Sequence, residues 1–258
     1  MNDSYLLSHK IALITGASRK IGIGAAVARE MARAGADIFV TYYQPYDASM
    51  PWGSNPSEAE QLVVELRTLG VRAEGLNLDL TLPDAPGQLF DRVEAALGPV
   101  DILVNNATHS ERDGIDALTA ELLDKHYAMN LRAMALLCVE FVRRFREQDG
   151  GRIINLSSGQ GVGPMPGELA YVATKGAVEA FTVSLSAELA PRGITVNAVD
   201  PGVTDTGWMP PEFKAKREAE APMGRVGLPE DAARLIRFLA SPAAGWITGQ
   251  VIHSRGGL

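Results

Sequence analysis

Residues 11–24 read IALITGASRKIGIG. The apolar run 11–15 predicts a strand, and the spacing of small and apolar residues over 24–34 predicts a helix. Between them lie Gly16, Gly22 and Gly24. Glycine lets the chain turn tightly between strand and helix, and lets a ligand approach the backbone. The first N–H groups of the helix have no partner inside it, and with the helix dipole they favour an anion such as phosphate. A glycine cluster alone is weak evidence. Its place after the first strand of a strand–helix chain strengthens it.

The same alternation continues outward. Further strands are predicted at 37–42, 71–78, 101–104, 152–156, 195–199 and 250–253. Helices are predicted at 57–69, 88–97, 120–146, 169–190 and 229–239. Ser57 with Glu60 three residues on predicts a capping box. Pro229 sits in the first turn of its helix, where a missing N–H costs nothing. Alternation of this kind predicts a doubly wound α/β fold, a parallel sheet covered on both faces. No linker, repeat or low-complexity tract divides the chain, so residues 1–258 are expected to form a single domain. Residues 44–56, QPYDASMPWGSNP, break the rhythm. With Pro45, Pro51 and Pro56 the segment is expected to be irregular, and it is long for a strand–helix connection.

Composition narrows the function. The 24 basic residues against 31 acidic ones give a formal net charge of -7, which argues against nucleic acid as a partner. Cys138 is the single cysteine and reads as a buried helix residue, so no internal disulfide is expected. The four histidines are scattered, with no metal-ligand spacing. No leader and no membrane-spanning stretch is evident, so a cytoplasmic enzyme is expected.

Several ordered motifs carry a resemblance to a known family. After TGASRKIGIG come NNA at 105–107, Asn130 in MNL, Ser157 and Ser158, YVATK at 171–175, and PGVTDT at 201–206. With the tail GRVGLPEDAARLIRFLASPAAGWITGQ, this set resembles the short-chain dehydrogenases/reductases of the 250-residue type, from about Lys10 to the end. It is similar to 3-oxoacyl-carrier-protein reductases and to many secondary-alcohol and sugar dehydrogenases. The resemblance implies a Rossmann-like sheet, a nicotinamide cofactor and a small-molecule carbonyl or alcohol substrate.

The chain departs from the family at three points. Its glycines are spaced G-x5-G-x-G, two residues longer than the family's usual G-x3-G-x-G. Thr108 replaces the glycine that often follows NNA, and Arg255 replaces a common acidic residue before the closing Gly-Gly.

Residue by residue, the resemblance implies cofactor contacts from Gly16, Ser18, Arg19, Lys20, Gly22, Ile23 and Gly24. Asp79 and Leu80 would hold adenine, and Asn106 and Ala107 would line the adenosine. Pro201, Gly202, Val203 and Thr206 would meet the carboxamide side. Tyr42 stands near the position where NAD-binding members carry Asp, with no adjacent carboxylate, while Arg19 and Lys20 suit a 2′-phosphate. NADP is therefore expected over NAD. The alternative is that Arg19 and Lys20 are merely solvated.

Tyr171 and Lys175 lie four residues apart on a predicted helix, hence on one face. A phenol titrates near pH 10, and a neighbouring ammonium would lower that value toward neutrality. Ser158, 13 residues earlier, resembles the serine that polarises a substrate oxygen. Asn130 resembles the residue that holds a proton-relay water near the lysine. Tyr171, Lys175, Ser158 and Asn130 are thus the candidate catalytic residues, with Tyr171 and Lys175 also touching cofactor. His109, Gln160, Met165, Pro166, Trp208, Met209 and Phe213 are expected around the substrate, which favours largely uncharged carbonyl compounds. The long helices at 120–146 and 169–190 resemble those that pair in family oligomers, so a homotetramer is expected. Two other readings stand: an NAD-dependent polyol or sugar dehydrogenase, and a nucleotide-sensing protein without catalysis on the same fold.

Overall fold

All seven expected strands pair in one parallel sheet: β1 (Ile11–Ile14), β2 (Asp37–Tyr42), β3 (Ala73–Asn77), β4 (Ile102–Asn105), β5 (Arg152–Leu156), β6 (Thr195–Asp200) and β7 (Val251–His253). Their order is β3-β2-β1-β4-β5-β6-β7. The computed structural model describes residues 7–146 and 150–257. The chain winds from β1 out to β3, returns to β4 beside β1, and continues to the other edge. The reversal of winding falls between β1 and β4, where doubly wound sheets open a crevice beyond their carboxyl ends.

Both faces of the sheet are covered, so alternate residues of one strand enter different cores. Ala12 and Ile14 of β1 pack with the side that holds α1 (Ile23–Arg33) and α9 (Pro229–Ala240). Ile11 and Leu13 pack with the side that holds α4 (Ala85–Ala96), α6 (Met134–Arg144) and α7 (Leu169–Leu189). The buried face of α1 is built mainly from alanines, Ala25, Ala26, Ala28 and Ala32, which bring its axis close to the sheet. Cys138 is buried in α6 as expected, and burial pushes its thiol up to about 12. None of the helices is long and apolar enough to cross a membrane among the described residues.

Four local expectations are corrected. Residues 44–56 are not wholly irregular, since Gln44–Ser49 forms a short helix, α2. Pro45 falls in its first turn, where no N–H is needed. The predicted capping box at α3 (Glu58–Thr68) is absent. Ser57 already has helical dihedrals, and its N–H and hydroxyl both donate to Asn55 Oδ1, at 3.2 and 2.9 Å. The continuous helix expected over 120–146 is α5 (Ala120–His126), then a π-helical stretch Tyr127–Ala133, then α6. Finally, α8 (Pro211–Glu220) was missing from the predicted elements. It buries no residue, so no apolar stripe marks it.

Candidate active site

The glycine turn is built by close approach of two loops. Gly16 has φ 74°, and a Cβ there would stand 2.6 Å from Ala107 Cα. A Cβ on Gly24 would stand 2.8 Å from both Asn106 Nδ2 and the Gly16 carbonyl oxygen. Asn106 Nδ2 donates to the carbonyls of Thr15 (2.8 Å) and Gly16 (2.9 Å). Thr15 Oγ1 accepts the N–H groups of Asn106 and Ala107, each at 3.0 Å. The turn is thereby fastened to the chain leaving β4.

The two extra residues form a compact turn in which Gly22 N–H donates to the Arg19 carbonyl at 3.0 Å. Gly22 then caps α1 in an extended conformation, with Ile23 the first helical residue. Among the described residues no side chain caps this helix, and its first turn holds no acidic residue. Its leading N–H groups and dipole are therefore available to an anion. These features fit the pyrophosphate of a dinucleotide.

Beside the turn lies a cavity of about 390 Å³ that includes Ser18, Arg19, Lys20, Tyr42, Asp47, Trp52 and Glu58. Arg19 stacks over the Trp52 ring, 4.8 Å from its centroid, and Nη2 donates to the Thr206 carbonyl at 2.7 Å. That bond joins the glycine turn to the 201–206 loop. No carboxylate adjoins Tyr42 in the sequence, but two reach the cavity from farther along the chain. The fold brings Asp47 and Glu58 to Arg19, where they oppose the lowering of its pKa by burial. Lys20 offers its backbone N–H to Glu58 Oε2 at 2.8 Å.

Around the other expected contacts, Asp79 Oδ1 accepts from the Thr81 N–H (2.8 Å) and hydroxyl (2.6 Å), while the Leu80 side chain enters the core. After β6, Gly202 N–H donates to Asp200 Oδ1 at 2.9 Å, and the Val203 carbonyl accepts the Gly227 N–H at 2.9 Å. The Pro201 carbonyl accepts from the Thr204 hydroxyl at 2.9 Å. Arg255 pairs with buried Asp200 at 3.0 Å, which ties the chain's end to this loop.

The four candidate catalytic residues converge at the carboxyl edge of β4 and β5. Tyr171 and Lys175 share a face of α7, with the ammonium 5.6 Å from the phenol ring centroid. Lys175 Nζ donates to the Leu156 carbonyl at 2.8 Å. Ser158 follows β5 and stands close enough to the Tyr171 hydroxyl to favour its ionised form. Asn130 sits inside the π-helical stretch, which breaks the regular ladder at the site itself. Its Oδ1 accepts from the His109 N–H (2.7 Å) and Thr108 hydroxyl (3.0 Å). Its Nδ2 donates to the His109 carbonyl and to Thr174 Oγ1, each at 3.0 Å. Thr108, the departure from the family's glycine, is thus used as an Asn130 partner.

The electrostatics overturn one expectation. Lys175 does not bring the phenol toward neutrality in the protein alone. Burial pushes Tyr171 up to about 12, against the influence of Ser158, which acts the other way. Burial likewise brings Lys175 down to about 8. Desolvation disfavours the charged form of each group and is the leading cause of both shifts. Tyr171 therefore holds its proton at neutral pH.

Among the expected substrate-side residues, Trp208 and Phe213 lie together with ring centroids 5.6 Å apart. Gln160 Nε2 donates to Ser157 Oγ at 3.1 Å.

Two supports escaped the sequence reading. Asp113 caps α7 by accepting the N–H groups of Leu169 (2.6 Å) and Ala170 (2.7 Å), and so fixes the turn that carries Tyr171. Glu179 accepts from the Ser157 hydroxyl. The Asp113 cap spans 56 residues, so no local spacing could announce it.

The family model described as enoyl-(acyl carrier protein) reductase matches residues 16–258. The oxidoreductase YjdA of Bacillus subtilis is 51% identical over 250 residues, covering 96% of each chain. The 3-oxoacyl-[acyl-carrier-protein] reductase FabG of Aquifex aeolicus is 35% identical over 258 residues, covering 98% of each. A short chain dehydrogenase of Burkholderia cenocepacia, solved in complex with NADP, superposes with a TM-score of 0.86 at 34% identity, covering 97% of this chain and 98% of that one.

Proposed function

Because the chain belongs to the short-chain dehydrogenase/reductase family, we propose that it interconverts a carbonyl compound and a secondary alcohol with NADP(H). The observation that supports this reading is the grouping of Asn130, Ser158, Tyr171 and Lys175, with Asn130 bound to Thr108 and His109 just after Ala107, which packs on Gly16. One domain over the whole chain, 1–258, would hold both cofactor and substrate.

Gly16, Gly22, Ile23 and Gly24 would cradle the pyrophosphate, with Ser18, Arg19 and Lys20 facing the adenosine phosphate. Asp79, Leu80, Asn106 and Ala107 would border the adenosine. Pro201, Gly202, Val203 and Thr206 would border the nicotinamide. A bound nicotinamide would supply or accept the hydride.

The remaining chemistry belongs to the chain. Ser158 donates to the substrate oxygen and holds it beside the Tyr171 hydroxyl. Tyr171, protonated at neutral pH, gives its proton to that oxygen in reduction and takes it back in oxidation. Lys175 places a positive charge near the phenol as the proton leaves. Asn130 holds the backbone of His109 on the substrate side of the pocket. The largely apolar set with Trp208 and Phe213 suits uncharged substrates.

The test is a panel of carbonyls and alcohols followed by nicotinamide absorbance with both cofactors. Turnover of uncharged carbonyls with NADPH supports the reading, and absence of turnover with every pair refutes it.

A second reading, an NAD-dependent polyol or sugar dehydrogenase, draws on Asp47 and Glu58, which stand where ribose hydroxyls could be accepted. Comparison of NADP and NAD affinities separates the two. The residues Val139 of α6 and Val183 of α7, exposed on the single chain, support a homotetramer built through these helices, which light scattering tests. The acidic balance and single buried cysteine support a cytoplasmic setting.

A further inference from the structure

β2 and β4 are the two neighbours of β1, so the chains leaving them emerge about 10 Å apart, on either side of the glycine turn. The segment after β2 spans that gap. At one end Trp52 lies against Arg19 of the glycine turn. At the other, Tyr46 Oη accepts the Ser110 N–H at 3.1 Å, and the Tyr46 ring lies 5.3 Å from His109, tilted by 53°. One segment therefore bears on both the turn that would hold the dinucleotide and the loop beside the reacting group.

The contacts continue to Tyr171. The His109 ring meets His126 edge-on, with centroids 4.8 Å apart and planes at 86°. His126 in turn lies 6.5 Å from the Tyr171 ring at 77°. His126 is wholly buried, and both its nitrogens are engaged: Nδ1 donates to the Leu122 carbonyl (2.8 Å) and Nε2 accepts the Glu111 N–H (3.3 Å). It is a fixed wall. The His109 backbone is clamped by Asn130, but its ring has no such clamp. Its Nε2 lies 2.9 Å from Glu111 Oε1, while burial lowers the imidazole's pKa and so disfavours the charged form of that pair. The other aromatic ring against that imidazole is Tyr46. Tyr46 also lies near enough to Tyr171 to help keep that phenol protonated.

We propose that Tyr46 is a positioning residue for carbonyl reduction, acting through His109: it presses the imidazole against His126 and holds the 108–111 loop, so fixing the wall against which the substrate lies beside Tyr171. This rests on the oxidoreductase reading above. Tyr46 does no proton transfer itself. Its effect falls on how the carbonyl is oriented, and hence on turnover, rather than on cofactor affinity.

The experiment is a double-mutant cycle of Tyr46→Phe and His109→Ala, read as kcat and KM for a carbonyl from the panel and as the dissociation constant of NADPH. Tyr46→Phe keeps the ring and loses only the oxygen that accepts the Ser110 N–H. It is expected to lower kcat/KM for the carbonyl about five- to tenfold and to leave NADPH affinity within about twofold. In the His109→Ala background the same change is expected to have no further effect, because residues acting as a unit are not additive. Additive effects, unchanged carbonyl kinetics, or a loss confined to NADPH binding would each overturn the proposal. A wild type that turns over carbonyls while Tyr46→Phe is silent refutes the role of Tyr46 alone. A wild type with no turnover refutes the oxidoreductase reading, and the proposal with it.

Discussion

The Arg19 guanidinium lies 4.8 Å from the centroid of the Trp52 ring, and Trp52 Nε1 donates to Asp47 Oδ1 at 3.2 Å. The segment after β2 thus supplies a platform that holds the cation of the glycine turn over the cavity. A stacked guanidinium gains about 0.5–2 kcal/mol from the ring and loses freedom before any ligand arrives. Removal of a charge-assisted phosphate contact costs about 1.5–3 kcal/mol. Arg19→Ala is therefore expected to weaken NADP roughly ten- to hundredfold and NAD far less. Trp52→Ala is expected to weaken NADP only severalfold, since the charge stays. Fluorescence titration with both cofactors measures this. An equal loss for NADP and NAD would remove Arg19 from phosphate binding.

Tyr171→Phe keeps the ring that faces His126 and removes the transferable proton. General acid–base catalysis contributes about 10²- to 10⁴-fold, and a loss of that order in kcat is expected. The dissociation constant of NADPH should stay within about twofold. Single-turnover absorbance measurements check the chemical step directly. A variant that keeps most of its single-turnover rate would take the proton-transfer role from Tyr171.

Asn130 is buried, and its four hydrogen bonds reach the Thr108 and Thr174 side chains and both the N–H and C=O of His109. Asn130→Ala strands the His109 N–H and carbonyl without these partners. Each unsatisfied buried group costs about 1–3 kcal/mol. A loss of about 2–4 kcal/mol in stability is expected, together with a large drop in turnover. Urea unfolding reads the first, and carbonyl kinetics the second. Asn130→Asp, which keeps an acceptor for the His109 N–H, should recover part of the stability. A variant as stable as the wild type would show that the π-helical stretch holds the loop without Asn130.

Much of this arrangement was legible in the sequence, for reasons that also explain what was not. β2 and β5 were bounded at their true ends because buried apolar runs flanked by polar residues and glycine carry their own limits. The four candidate catalytic residues stood out through ordered motifs, and the fold gathers them at one edge. The π-helical stretch escaped because one added residue in a helical turn leaves the apolar period nearly intact. α8 escaped because a fully solvated helix shows no stripe. Tyr46 stands in the quoted 44–56 segment, but its partner Ser110 lies 64 residues away, a pairing that only the strand order supplies. The carboxylates Asp47 and Glu58 reach Arg19 for the same reason. The pKa of Tyr171 was misjudged because spacing along a helix reports a neighbour's charge and says nothing of burial.

Burial of Lys175 gives stability a pH dependence whose sign can be worked out. Its folded-state pKa is near 8, while an unfolded lysine titrates near 10.4. Below pH about 8 both states hold the proton, and the site gives no slope. Between about 8 and 10.4 the unfolded chain binds a proton that the folded chain has released, so folding stability rises with pH. One such proton is worth up to about 1.4 kcal/mol per pH unit. Tyr171 acts with the opposite sign, because its folded value near 12 exceeds the unfolded value of about 10, so stability falls as pH rises above 10. The useful window for Lys175 is therefore pH 8 to 10, before Tyr171 intervenes. Lys175→Met removes the titrating group while keeping a long apolar stem. In urea titrations at several pH values across that window, the wild type should gain stability relative to Lys175→Met as pH rises, at roughly 1 kcal/mol per unit. The difference is the quantity to read, since all other groups titrate in both proteins. A difference that stays constant with pH would mean that Lys175 keeps its proton when buried, held by its bond to the Leu156 carbonyl and the nearby Tyr171.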